Sequence, residues 1–274
     1  MSARRRDPVL GWLLLGTGLY LGVILLLPLA ALLQKAFSQG WGPAWAALAT
    51  PRVAASLRLT FACALGAALF TTLLGGLVAW VLVRYRFFGR RFFDAIIDLP
   101  FALPTAVAGI TLTALLAPGG WLGRPLAAWG VEVAYTPLGI MVALVFVSLP
   151  LVVRSVQPVL QEMDPDVEEA AACLGAGPWT TFRRVLLPQF SGALFAGFTL
   201  AFARGLGEYG SVVFISGNLP FRTEIAPLLI LTKLEEYDIP GASAVAVASL
   251  GLSLAILLGF ARLRRRFEPA GVAP

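Results

Sequence analysis

The chain contains no histidine. That excludes histidine-ligated zinc or haem, and any hydrolase built on a serine–histidine pair. Two cysteines occur, Cys63 in an apolar run and Cys173 in a polar one. They lack metal-ligand spacing and make no disulfide framework. Lysine is nearly absent, with only Lys35 and Lys233. Neither stands in Gly-x-x-x-x-Gly-Lys-Ser/Thr, so no P-loop for nucleotide phosphates is present. Charge of either sign is scarce: 13% of the 274 residues are charged, where a soluble domain carries about 25%. With no nucleophile motif and no metal cluster, the chain is not expected to be an enzyme.

Apolar residues take up the difference. They make up 58% of the chain, and the mean hydropathy is +0.83. A bilayer demands this composition, because lipid-facing positions must be as apolar as the core. The reading is an all-α membrane protein. Six runs approach the roughly 20 residues a spanning helix needs: 9–33, 59–83, 95–117, 137–156, 186–211 and 243–261. The first is longer than a signal-peptide core and lacks a clean cleavage site after it, so it is expected to stay as a helix.

Basic residues orient these runs. With the N-terminus inside, the inner segments hold Arg4, Arg5, Arg6, Arg84, Arg86, Arg90, Arg91, Arg183, Arg184, Arg262, Arg264, Arg265 and Arg266. The outer segments hold Lys35, Arg52, Arg58, Arg124, Arg222 and Lys233. This bias places both termini in the cytoplasm. It also accounts for the net charge of +6. No basic stripe with interleaved aromatics points to nucleic acid. Trp12, Trp41, Trp45, Trp80 and Trp121 fall near predicted helix ends, where interfacial aromatics belong. Pro100 and Pro104 predict a bend in the third helix. Gly18 and Gly22 form a small-xxx-small pair. The expected organisation is a first helix and outer loop over 1–55, a core over 56–264, and a tail over 265–274.

The longest inner loop, 162–188, has its own local logic. Asp164 is a good N-cap, and Pro165 fits the first turn of a helix. Asp166, Glu168 and Glu169 suit its positive start, and Gly175 and Gly177 stop it. Pro178 begins a second short helix, to about Arg184. Ala170, Ala171, Leu174 and Trp179 are expected to lie exposed away from lipid, as a knob for a partner's groove.

The same loop reads Glu169-Ala170-Ala171, three residues, Gly175, nine residues, then Val185-Leu186-Leu187-Pro188. It resembles the EAA loop of ABC importer permeases. Arg84-Tyr85-Arg86-Phe87, the run from Asp98 through Pro100 and Pro104 to Gly109, Val153-Arg154-Ser155-Val156-Gln157-Pro158, and Gly205-Leu206-Gly207-Glu208-Tyr209-Gly210 together resemble sulfate/thiosulfate permeases of the T-subunit family. The molybdate permeases share the Gly-Glu-aromatic-Gly pattern, so a molybdate or tungstate reading stands beside the first.

The resemblance implies a type I ABC importer permease fold in a bacterial inner membrane, working by alternating access. Glu169, Ala170, Ala171, Leu174, Gly175 and Pro188 would then form the coupling element for the ATPase. The implied partners are cytoplasmic ATP-binding subunits, a second related permease subunit, and an outer binding protein for sulfate or thiosulfate. ATP and Mg would sit on the ATPase, with no cofactor in this chain. An ion-coupled secondary transporter, the rival class, would need inverted repeats and midplane ion sites, and neither is visible.

Four residues are candidates for the anion path. Arg204 and Glu208 share a helix face at i, i+4, and an ionisable residue inside a membrane helix is costly unless it faces protein or water. Ser216 and Asn218 follow in the next outer loop, as hydrogen-bond donors or as ordinary turn residues. Asp94 and Asp98 are read as charges favouring the start of the third helix.

Overall fold

The structure, a computed structural model, describes residues 8–264. Arg4, Arg5, Arg6, Arg265, Arg266 and the tail 265–274 lie outside the described residues. In chain order the helices are α1 (Pro8–Ala36), α2 (Trp41–Leu48), α3 (Pro51–Arg84), α4 (Arg90–Ile97), α5 (Leu99–Ala102), α6 (Thr105–Leu116) and α7 (Gly123–Ala128). They continue with α8 (Pro137–Glu162), α9 (Asp166–Cys173), α10 (Pro178–Thr181), a π-helical turn Phe182–Leu186, α11 (Leu187–Leu206), α12 (Val212–Ser216), α13 (Ala226–Glu235) and α14 (Ile239–Arg264).

Among the described residues, five helical stretches are long and apolar enough to cross a membrane: Leu15–Ala36 of α1, α3, α8, the continuous run Pro178–Leu206, and α14. Each of these stretches meets one of the six predicted crossings. The third, 95–117, is not one helix but α4, α5 and α6 in series. Leu103 turns to extended backbone and Pro104 supplies no N–H, so the helix ends and restarts there. What the sequence predicted as a bend is a break. α3 also begins earlier than predicted. Thr50 accepts the Val53 amide at 3.4 Å and Pro51 takes the first helical position, a start signal that outweighs Arg52 and Arg58. Both arginines thus lie inside α3 rather than in a loop.

The core is the three-helix contact of α3, α8 and α11. Small residues make it close. A Cβ at Gly75 would stand 2.9 Å from Val152, and one at Gly197 would stand 3.1 Å from the Val152 Cα. Ala64, Ala67, Ala68 and Ala79 of α3 are buried in the same contact. In lipid there is little hydrophobic drive between helices, so such backbone approach supplies the association. α1 and α2 pack on α14 at one side. The most apolar stretch of α1 has no buried residue, although Ala36 at its end is buried, and a Cβ added at Gly18 or Gly22 would meet nothing within 4 Å.

α12 lies against α6 through Gly109, where an added Cβ would sit 2.4 Å from the Ser211 carbonyl oxygen and 2.8 Å from its Cα. Backbone cannot yield as a side-chain tip can. Gly109→Ala is expected to destabilise the detergent-solubilised protein by about 1–3 kcal/mol. Gly251→Ala, which enters open space, should be near neutral. Thermal unfolding of the two variants side by side checks the contrast.

Candidate functional site

The loop between α8 and α11 is ordered by its own sequence. The Asp164 carboxylate accepts the Asp166 amide at 3.0 Å and opens α9. Asp166, Glu168 and Glu169 fill the first turn. At the other end Gly175 adopts φ +80°. The Ala176 amide donates to the Ala171 carbonyl at 3.0 Å, and the Gly175 amide to Ala172 at 2.9 Å. This pair of bonds is the Schellman closure, which requires a left-handed residue at the glycine position.

α9 is not free of the membrane helices. Glu168 forms an ion pair with Arg84 at the end of α3. The Arg84 guanidinium lies 5.0 Å from the centre of the Trp80 ring. Trp80 packs edge-on to Phe182 at 5.4 Å and against Phe190 at 5.9 Å. Trp80, read from the sequence as an aromatic near a helix end, is a packing centre for these rings. The outward face of the loop carries Glu169, Ala170, Leu174 (88% exposed) and Trp179 (71% exposed). Ala171 is corrected: it is 8% exposed and faces inward, because α9 packs against α10 and the π turn.

The predicted second short helix, 178–184, does not end in a loop. It runs through the π turn into α11. Pro188 explains the wider turn. A proline ring clashes with the carbonyl four residues earlier and donates no hydrogen bond. The chain relaxes to the longer spacing, and the Leu187 amide reaches the Phe182 carbonyl.

A second cluster was missed at the sequence level. Arg154 of α8 holds Asp98 by two bonds of 3.0 and 2.6 Å. It also bonds the Asp94 carboxylate at 2.7 Å and the Asp94 carbonyl at 2.9 Å. Gln157 donates to Asp94 at 2.9 Å. The Gln157 amide does most to hold the Asp94 carboxyl below the usual carboxylate range, and Arg154 adds to it against the effect of burial. Asp94 and Asp98 are therefore more than helix-start charges. They clamp α4 and α5, the first part of the broken segment, onto α8.

Arg204 and Glu208 do meet, at 2.8 Å. Glu208 is buried, and its other oxygen accepts both the Ser211 amide and the Ser211 hydroxyl at 3.0 Å. The carboxylate thus shapes the turn into α12. The Arg204 side chain stays 41% exposed. The next residue, Gly205, packs on Ala64 of α3 and Leu144 of α8, so Arg204 stands within the spans. Ser216 is fully buried and accepts the Asn218 amide at 3.2 Å. Asn218 has φ +47°, and its side-chain oxygen is buried without a hydrogen bond. A further buried acid, Glu224, is held by Arg52 with bonds of 2.8 and 2.7 Å. No local pattern in the sequence marks that pair.

The described residues thus form a multi-span bundle with a capped, outward-facing helix between two spans. Residues 71–270 match the model of the binding-protein-dependent transport system inner membrane component. The chain belongs to that family. It is a multi-pass inner membrane permease component, not the ATPase, and such components carry no cofactor.

Among curated proteins it is 48% identical over 269 residues to the sulfate transport system permease protein CysT of Escherichia coli K12, covering 97% of this chain and 96% of that one. It is 48% identical over 242 residues to the protein of that name from Synechocystis, covering 88% and 85%. Among solved structures, a bacterial ABC transporter involved in the import of the acidic polysaccharide alginate matches with a TM-score of 0.79 at 18% identity, covering 96% of each chain. The same TM-score is found, at 19% identity and 98% coverage of each chain, with a bacterial alginate ABC transporter in complex with a pentasaccharide-bound periplasmic protein. These two likenesses carry the fold.

Proposed function

We propose that this chain is the permease subunit of an ATP-driven importer of sulfate, taking thiosulfate as well. It works by alternating access with α9 as the coupling helix. The observation that carries the reading is α9 itself. It is fixed by a cap at each end, tied to α3 through Glu168, and turns Glu169, Ala170 and Leu174 outward. Near-full-length identity to sulfate permeases supports the substrate.

On this reading the α9 end of the bundle is cytoplasmic. Arg84 ends α3 there, and Arg262 and Arg264 end α14. Phe260 of α14 packs on Phe195 and Phe198 of α11, which brings the end of α14 to the same side. The N-terminus of α1 faces the cytoplasm too. The broken segment makes the sixth crossing of a type I permease through α5 and α6, with α4 along the interface. The core spans 56–264, with 162–188 as its coupling loop.

ATP-binding subunits dock on Glu169, Ala170, Leu174 and the loop ordered by Ala171, Gly175 and Pro188. A second, related permease subunit packs beside the chain, and the unburied length of α1 leaves apolar surface for it. A sulfate- or thiosulfate-binding protein delivers the anion to the far side. Arg204 faces the dianion in transit, and Glu208 holds that arginine in place. Ser216 and Asn218 shape the following turn, at the edge of the path.

Labelled sulfate uptake tests the reading, in cells lacking the chain and in cells with it restored. Restoration is expected to return uptake that unlabelled thiosulfate blocks and molybdate hardly affects. Uptake unchanged by restoration rejects sulfate and makes molybdate or tungstate the next anion to test.

A further inference from the structure

Arg84 occupies a position that coupling alone does not require of it. It ends α3, whose buried face packs on both α8 and α11. One guanidinium nitrogen is paired with Glu168 of α9. The other two side-chain nitrogens are buried without a hydrogen bond. The guanidinium lies over the Trp80 indole, so the cation–π contact stands where those bonds would be. The same indole touches Phe182 and Phe190. Phe182 opens the π turn and stacks on the exposed Trp179 at 5.8 Å, while Phe190 lies in the first turn of α11.

A displacement of α9 therefore has two routes into the membrane. Through Glu168 and Arg84 it reaches the end of α3. Through Trp80, Phe182 and Phe190 it reaches the start of α11, the helix that bears Arg204. Packed aromatics deform little, and an ion pair resists both separation and rotation, so the three elements move as one. The π turn lies between α10 and α11, and π turns inside helices are frequent at functional sites.

We propose that Arg84 is a positioning residue for transport: it locks α9 to α3 and, over Trp80, to α11, so that motion of the coupling helix becomes motion of the path. This rests on the ATP-driven reading of α9 given above. Glu168 is its partner in the lock, distinct from the outward-facing Glu169 that meets the ATPase.

The test uses the whole transporter, with its ATP-binding subunits, second permease subunit and binding protein, in proteoliposomes. The readout is sulfate taken up per ATP hydrolysed. Arg84→Gln is expected to assemble in normal yield and to hydrolyse ATP, but to transport about tenfold less per ATP, within the range of a single coupling contact. Arg84→Lys keeps the charge and should recover part of the loss. The exchange Arg84→Glu with Glu168→Arg should recover more than either single reversal. A merely structural role would lower yield and leave the ratio unchanged, and that result overturns the proposal. Should Arg84→Gln not assemble, Glu168→Gln, altered at a half-buried carboxylate, must show the same fall in the ratio or the proposal fails.

A second readout is independent of the anion. Spin labels at Tyr209 and Tyr237, both exposed, in a Cys173→Ser background report whether ATP moves the end of α11. The unaltered complex should show a nucleotide-dependent distance change that Arg84→Gln lacks. The same change in both rejects the role of Arg84. Absence of any change in the unaltered complex rejects the ATP-driven reading and the lock with it. A distance change without sulfate uptake rejects the substrate alone.

Discussion

Gly175→Val is expected to leave the permease inserted and folded while sulfate uptake falls at least about tenfold. The argument is conformational. Gly175 sits at φ +80°, and an added Cβ there meets nothing within 4 Å. Space is not the obstacle; the left-handed backbone is. That region costs an L-residue roughly 1–2 kcal/mol, and a β-branched residue is a rarer occupant still. The α9 closure depends on it, through the Ala176 and Gly175 amides. If the closed form is no longer favoured, the docking-competent fraction falls with it, and apparent affinity for the ATPase falls by the same factor. About 1.4 kcal/mol is one factor of ten. Gly175→Asn is the discriminating control, because asparagine tolerates the left-handed region. It should keep most uptake. Co-purification of the ATP-binding subunit measures the docking directly. Normal uptake and co-purification by Gly175→Val would contradict the coupling role of the loop.

Arg204→Ala is expected to abolish uptake, and the structure shows why the single variant cannot stand alone. Removing Arg204 leaves one Glu208 oxygen buried and unpaired, since the other is committed to Ser211. An uncompensated buried charge costs up to about 3–5 kcal/mol, so lost uptake could follow from lost protein. Arg204→Ala with Glu208→Gln separates the two. The amide oxygen can still accept from Ser211, and no charge is stranded. The double variant is expected at near-normal level in the membrane with uptake still below about a tenth of normal, as for a cation that favours the dianion in transit by 1.4 kcal/mol or more. Normal transport by the double variant would make the pair a strut for the turn into α12 and remove Arg204 from the path.

Much of this molecule can be read along the chain. Hydropathy over a window of some twenty residues finds the five long helices. Caps such as Thr50-Pro51 and Asp164-Pro165 are contained in a few residues, and so is the stop at Gly175. The spacing from Glu169 to Pro188 is equally local, and it carried the family. Arg204 and Glu208 were legible as a pair because four helical residues bring them together. The break at Pro104 was half legible: the prolines were visible, but whether the helix bends or stops depends on what clamps the two pieces.

The sequence by itself determined that the chain lives in a bilayer, that a capped helix interrupts its spans, and which family that helix belongs to. All of this follows from composition and from hydrogen bonds closed within a few residues. Only the tertiary structure decided the rest. Arg84 pairs with a residue 84 positions away, Arg154 with one 60 away, and Arg52 with one 172 away. Trp80 became a packing centre and Ala171 turned inward for the same reason. Which distant charges meet is set by how helices cross, and the crossings are set by small residues packing across the whole bundle.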